Sequence, residues 1–98
     1  MMLPKNKRIV NKKVLDKIRA QGFCSVCGKE GRDVHHYFIG KGAGGPDHPY
    51  NLVNLCRLCH NLAHSGNINK SLLMNCVSVR EGVTITEETI YKIMRNEK

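Results

Sequence analysis

At 98 residues the chain is one domain's worth, and a domain that small has only a modest core to hold it together. Its 16 basic residues against 8 acidic ones give a net charge of +8, which favours polyanionic partners, nucleic acid first. No apolar run is long enough to span a membrane, and Met1-Met2-Leu3-Pro4-Lys5 has no hydrophobic stretch behind its charge. Neither a membrane segment nor a secretory signal is therefore expected, and the expected location is cytoplasmic.

Residues 1–9 read as a basic tail. The charge is concentrated there and just beyond: residues 1–20 hold Lys5, Lys7, Arg8, Lys12, Lys13, Lys17 and Arg19 against Asp16 alone. Over residues 10–22, Val10, Val14, Leu15 and Ile18 recur at helical spacing, with Asn11 as a cap, Gly22 as a stop and a basic opposite face. Phe23 to Gly31 holds a tight cysteine turn. Val34 to Ile39 is β-branched and aromatic, which predicts a short strand. The glycine-rich stretch Gly40 to Pro49 predicts a loop, and Tyr50 to Leu55 a second short strand. Cys56 to about Ser65 reads as a helix ended by Gly66. Residues 69–79 form a further short helix, and Thr86 opens a last one to about Asn96, with Glu87 and Glu88 complementing its dipole. No linker or internal repeat divides the chain, so it reads as one α+β domain: tail 1–9, basic helix 10–22, core 23–65 and helical extension 66–98.

The cysteines carry the first chemical signal. Cys24-x-x-Cys27 and Cys56-x-x-Cys59 are two pairs of the kind that close a tetrahedral zinc thiolate site. Each short turn presents two sulfurs to one ion about 2.3 Å away. In a reducing compartment disulfides are not expected, and a thioredoxin-like redox motif needs one such pair, not two. A structural Zn²⁺ is the expected staple for so small a core. Cys76, in an apolar stretch, reads as a buried core thiol.

The histidines carry the second. On a helix beginning near Cys56, His60 and His64 share one face. Cys56 and Cys59 take a neighbouring sector, while Leu58 and Leu62 fall on the far side and can face the core. His35 and His36 are adjacent on a strand, so their side chains are expected on opposite faces and in different roles. Two features are set aside. Gly40-Lys-Gly42-Ala-Gly44-Gly45 fits the GxGxxG pattern, but Pro46-Asp47-His48-Pro49 follows where a dinucleotide site needs a helix. Asp33, Asp47, Glu87 and Glu88 show no paired catalytic spacing and read as caps or solvated faces, and His48 as a surface loop residue.

Asp33-Val-His-His-Tyr, then Gly44-Gly45-Pro-Asp, then Asn51-Leu-Val-Asn-Leu-Cys-Arg-Leu-Cys-His60 resembles the HNH endonuclease family across roughly residues 23–65, in its four-cysteine zinc-containing form. The histidine and asparagine spacings also look like those of the colicin nuclease domains, which lack the cysteines. The resemblance implies a ββα-metal, treble-clef-like core with flanking helices and a metal-dependent hydrolysis of DNA phosphodiester bonds. In it His36 would be the general base that activates water. Asn51 would hold the loop and orient that base by hydrogen bonding. His35, His60 and His64 would hold a catalytic divalent ion, with His64 a third ligand or a phosphate contact. Many relatives have aspartate at the position of His35. Histidine there favours borderline ions such as Zn²⁺, Ni²⁺ or Co²⁺, with Mg²⁺ or Mn²⁺ still open. The implied products are a 5′-phosphate and a 3′-hydroxyl.

Lys12, Lys13, Arg19, Lys41 and Arg57 are the candidate contacts to the DNA backbone, which position a duplex without reading its bases. No base-reading element is evident, so specificity is low or supplied by a partner protein. The competing reading is a non-catalytic zinc module that binds DNA or another protein, which has no need of His36 and Asn51 together. A zinc deaminase is disfavoured, because its His-x-Glu and Pro-Cys-x-x-Cys signatures are missing.

Overall fold

The structure, a computed structural model, describes residues 9–94, the side chain of Lys41 excepted. Lys5, Lys7 and Arg8 of the basic block, and the expected end of the last helix, lie outside the described residues. Over the described residues the fold is α+β, with four helices and a two-stranded antiparallel sheet.

Helix α1 (Lys12–Arg19) opens where expected. The Asn11 side chain accepts from the Val14 N–H, and Gly22 beyond its end has the left-handed φ of +73°. Ile18 is buried, while Lys12, Lys13, Lys17 and Arg19 stay exposed. Strand β1 (Asp33–His36) pairs with β2 (Leu52–Leu55), placing Asp33 opposite Leu55 and His36 opposite Leu52. Both strands are shorter than their β-propensity suggests. Phe38 and Ile39 leave the ladder because their N–H groups bond the Asn51 side chain, at 3.3 and 3.0 Å. Pro49–Asn51 forms a short 3-10 turn before β2. β2 is buried along its whole length, since α1, α2 and α3 all pack against it.

Helix α2 (Arg57–His64) has Cys56 as its N-cap and is followed by Gly66 with φ +84°. Helix α3 (Lys70–Glu81) is capped by Asn69 and ended by Gly82 in the left-handed conformation, and α4 (Glu87–Met94) carries Glu87 and Glu88 in its first turn. Tyr37, Phe38, Val53, Leu55, Leu73, Val77, Ile85 and Ile90 form one core with three of the cysteines. Among the described residues no helix is long and apolar enough to cross a membrane.

Two expectations about packing are corrected. Leu58 does not face the core: it is 64% exposed, and the α2 residues turned inward are Cys59 and Ala63, because Cys59 must reach the other thiols. Cys76 is only half-buried. Its Sγ lies 3.6 Å from the Ser25 carbonyl, at the edge of an open cleft beside Phe23 and Val79.

Arg80 ties the helical extension to the core. Its guanidinium donates to the carbonyls of Pro49 and Leu52, so α3 braces the backbone on either side of Asn51.

Candidate metal centres and their cleft

Cys24, Cys27, Cys56 and Cys59 converge, with their sulfurs all within 4.8 Å of one another. The chemistry of the donor set fits a tetrahedral ion. The Sγ atoms of Cys27 and Cys56 stand 3.7 Å apart, while the edge of a zinc thiolate tetrahedron with 2.3 Å bonds is about 3.8 Å. The arrangement is able to hold a structural metal ion such as zinc.

The first pair is positioned by a residue the motif does not include. Asn54, fully buried in β2, donates from Nδ2 to the carbonyls of Phe23 and Gly31, both at 2.9 Å, and its main-chain carbonyl accepts from the Ser25 N–H. The second strand therefore grips both ends of the Cys24–Cys27 turn. At the same junction Gly31 lies against the backbone of Cys56, where a Cβ would come within 2.6 Å of the Cys56 nitrogen.

The thiols are polarised even without an ion. Burial pushes the Cys24 thiol up, but N–H groups of Cys27, Cys56 and Val26 aimed at its sulfur bring it down to about 6. Burial and the neighbouring thiols push Cys59 the other way, well above the ordinary thiol value. A cation at the centre of the four sulfurs is the charge that lets all of them ionise together.

A second cluster forms around α2. His35 from β1 meets His60 and His64, with ring centroids 4.9–5.0 Å apart in each pairing and ligand nitrogens within 4.8 Å. These three rings suit a divalent transition ion, since neutral imidazole is a common ligand for such metals. Burial, and then the neighbouring rings of His60, His64 and His36, lower His35 to about 4, which keeps it neutral and able to ligate at neutral pH. Asp33 orients the cluster from behind. One of its oxygens takes both His60 Nδ1 at 3.1 Å and Arg57 Nε at 3.2 Å, which leaves His60 Nε2 as the nitrogen for the centre.

His36 lines the same cleft, a space of about 130 Å³ bounded by Val34, His35, His36, Gly40, His60 and His64. It is not part of the three-ring cluster. Its Nε2 lies 2.7 Å from Oδ1 of Asp47, a residue only 2% exposed. The two adjacent histidines thus take separate partners, although both border the same cleft rather than separate faces of the strand.

Asn51 is corrected in its detail. A direct hydrogen bond to His36 is not what it makes. Its amide is spent on loop backbone: Oδ1 accepts from Phe38 and Ile39, and Nδ2 donates to the carbonyls of Ile39 and Pro46, at 3.0–3.3 Å. An asparagine side chain offers about four hydrogen-bonding positions and these four use them all. Asn51 therefore fastens the two ends of the 38–46 loop, and any effect on His36 passes through that loop.

The reading of the carboxylates is also corrected. Asp33 and Asp47 are neither helix caps nor solvated: one holds His60, the other His36. The signal for Asp33 was present, since residues two apart on a strand share a face and Asp33 lies two before His35. Nothing local marks Asp47, which reaches His36 only because the loop closes. His48 is half-buried rather than a surface residue, its Nδ1 accepting from the Tyr50 N–H and its ring against Tyr50. The GxGxxG stretch contains a 3-10 turn, Lys41–Ala43, and opens no helix.

The basic candidates are less uniform than their charge suggests. Lys12 and Lys13 project from the first turn of α1. Arg19 pairs with Asp16 at 3.0 Å, and Arg57, highly exposed, with Asp33. The Lys41 side chain lies outside the described residues.

No curated protein and no solved structure matches the chain. The model of the family described as "Protein of unknown function (DUF968)" matches residues 1–69, a span that takes in both strands and every residue of the two clusters, and the chain belongs to that family.

Proposed function

We propose that the protein is a metal-dependent endonuclease of the HNH type that hydrolyses DNA phosphodiester bonds, on a ββα-metal core made of β1, β2 and α2. The observation that carries this reading is the joint placement of the His35–His60–His64 cluster and His36 on one small cleft. A purely structural metal site has no use for a separately anchored imidazole at its edge.

Hydrolysis needs a base near the attacking water and positive charge near the phosphate. His36 is the base in this reading, since a neutral imidazole has a lone pair that can take a proton from water. His35, His60 and His64 hold the divalent ion (Mg²⁺, Mn²⁺, Ni²⁺ or Zn²⁺), which when bound supplies Lewis-acid stabilisation of charge on the phosphate. Asp33 fixes the face that His60 turns to the centre. Asn51 keeps the loop carrying Gly40 folded against the cleft. Lys12 and Lys13, with Arg19, Lys41 and Arg57, would meet the flanking phosphates. Such contacts position DNA without selecting a sequence.

A plasmid-nicking assay tests the reading. Cleavage is expected with a divalent ion and is expected to stop when the ion is chelated. His36→Ala is expected to lower the rate by about 10²–10⁴, the usual contribution of a general base. Cleavage that survives both changes would overturn the proposal. The four-cysteine cluster favours a second reading, a zinc module that binds DNA or a protein without cutting. One tightly held ion per chain and no second binding event would support it.

A further inference from the structure

Asp47 is a buried carboxylate to which the nuclease reading above assigns no role. It belongs to the loop between the strands, yet it connects two regions of the chain. Its Oδ1 meets His36 Nε2 at 2.7 Å, and its Oδ2 accepts from the Asn11 N–H at 3.0 Å. Its own N–H donates to the carbonyl of Ile9 at 2.8 Å. The carboxylate is thus clamped between the N-cap residue of α1 and the imidazole at the cleft.

We propose that Asp47 is the positioning residue of His36, fixing which ring nitrogen carries the proton; the consequence for catalysis rests on the nuclease reading above. An ionised carboxylate has no hydrogen to give, so both oxygens of Asp47 accept, Oδ2 from the Asn11 N–H and Oδ1 from the imidazole. The His36 proton therefore sits on Nε2, and the lone pair able to receive a proton is on Nδ1. The ring is also locked in orientation, because the loop that carries Asp47 is held by Asn51 at Pro46 and by the segment before α1 at Ile9. An arriving water meets one tautomer in one pose.

Asp47→Asn makes a specific inversion. The Asn11 N–H still needs an acceptor, so the amide oxygen turns to it. The NH₂ group is then left facing His36 Nε2, which must accept. The His36 proton moves to Nδ1, and the base loses its lone pair on that side. The substitution is close to isosteric, so the change is in hydrogen-bond polarity rather than in shape.

The test is ¹⁵N imidazole spectroscopy of the full zinc-loaded chain at neutral pH, with the His36 signals identified by their loss in His36→Gln. The wild-type protein is expected to show the Nε2–H form, and Asp47→Asn the Nδ1–H form. In the nicking assay Asp47→Asn is expected to lower kcat by 100-fold or more with little change in KM for DNA, as loss of a general base does. A wild-type Nδ1–H form overturns the proposal even if the variant fails to fold. So does an Asp47→Asn protein that keeps the wild-type tautomer, or one that keeps its kcat. If the wild-type chain cleaves no DNA with any divalent ion, the nuclease reading fails, while the tautomer result still decides the role of Asp47.

Discussion

Gly31 shows how narrowly single positions are set around the cysteine cluster. It needs no special φ; it needs the absence of a side chain, because the backbone of Leu55 and Cys56 runs against it. Gly45 is under the same constraint, with the Ile39 carbonyl occupying the place of a Cβ. Gly31→Ala must push Cys56 away from the first cysteine pair. A destabilisation of about 1–3 kcal/mol is expected from such overpacking. Because Cys56 moves, weaker zinc retention against a competing chelator is expected as well. A thermal melt and a zinc-transfer titration check the two effects together; an unchanged pair of values would contradict the close approach. Asn54 acts at the same junction by polar means, its two donated hydrogen bonds holding carbonyls that would otherwise be buried without partners.

At the scale of the element, α2 serves both clusters. Its N-cap and first turn contribute Cys56 and Cys59, and the remainder of the helix contributes His60 and His64. The separation follows from helix geometry: residues four apart stack on one face, and the thiols lie about a third of a turn away. The two functions should therefore come apart under substitution. Cys56→Ser is expected to abolish the structural zinc and with it the fold, since such sites contribute about 10–16 kcal/mol of apparent binding energy at neutral pH. His64→Ala, at an exposed position, is expected to leave the circular dichroism and the cysteine-held zinc in place and to weaken only the second, more labile ion. Metal stoichiometry by elemental analysis, alongside a melt of each variant, reads both outcomes. Equal losses from the two substitutions would show that the clusters are one site.

For the whole molecule, acid stability is linked to the histidine cluster. The folded state keeps His35 neutral down to about 4, whereas an unfolded histidine takes up its proton near 6.5. Between those values the unfolded chain binds more protons, so folding stability falls as pH drops from about 6.5 to about 4; above 6.5 the group contributes nothing. In protein carrying zinc only at the cysteines, His35→Gln is expected to lose that part of the slope. Denaturation midpoints of the two proteins followed from pH 7 to 4.5 should converge toward acid, with wild type losing more. Parallel curves would show that His35 titrates normally in the fold.

Much of this molecule was legible along the chain. The two CxxC turns, the α2 periodicity and the cap Asn11 are local patterns, fixed by the reach of short turns and by 3.6-residue spacing. The sequence by itself determined that four thiols could share one ion and that His60 and His64 share a face. Tertiary structure decided the rest, because it depends on how the 38–46 loop closes and how the strands register. The register sets Asp33 beside α2, so that it holds His60. Loop closure carries Asp47 to His36 and engages Asn51 on backbone rather than on an imidazole. The approach of Gly31 to Cys56 and the exposure of Leu58 follow from where α2 must sit for Cys59 to reach the other sulfurs. Hydrogen bonds between groups distant in sequence leave no periodic trace, and the carboxylates that orient His36 and His60 are joined to them only by the fold.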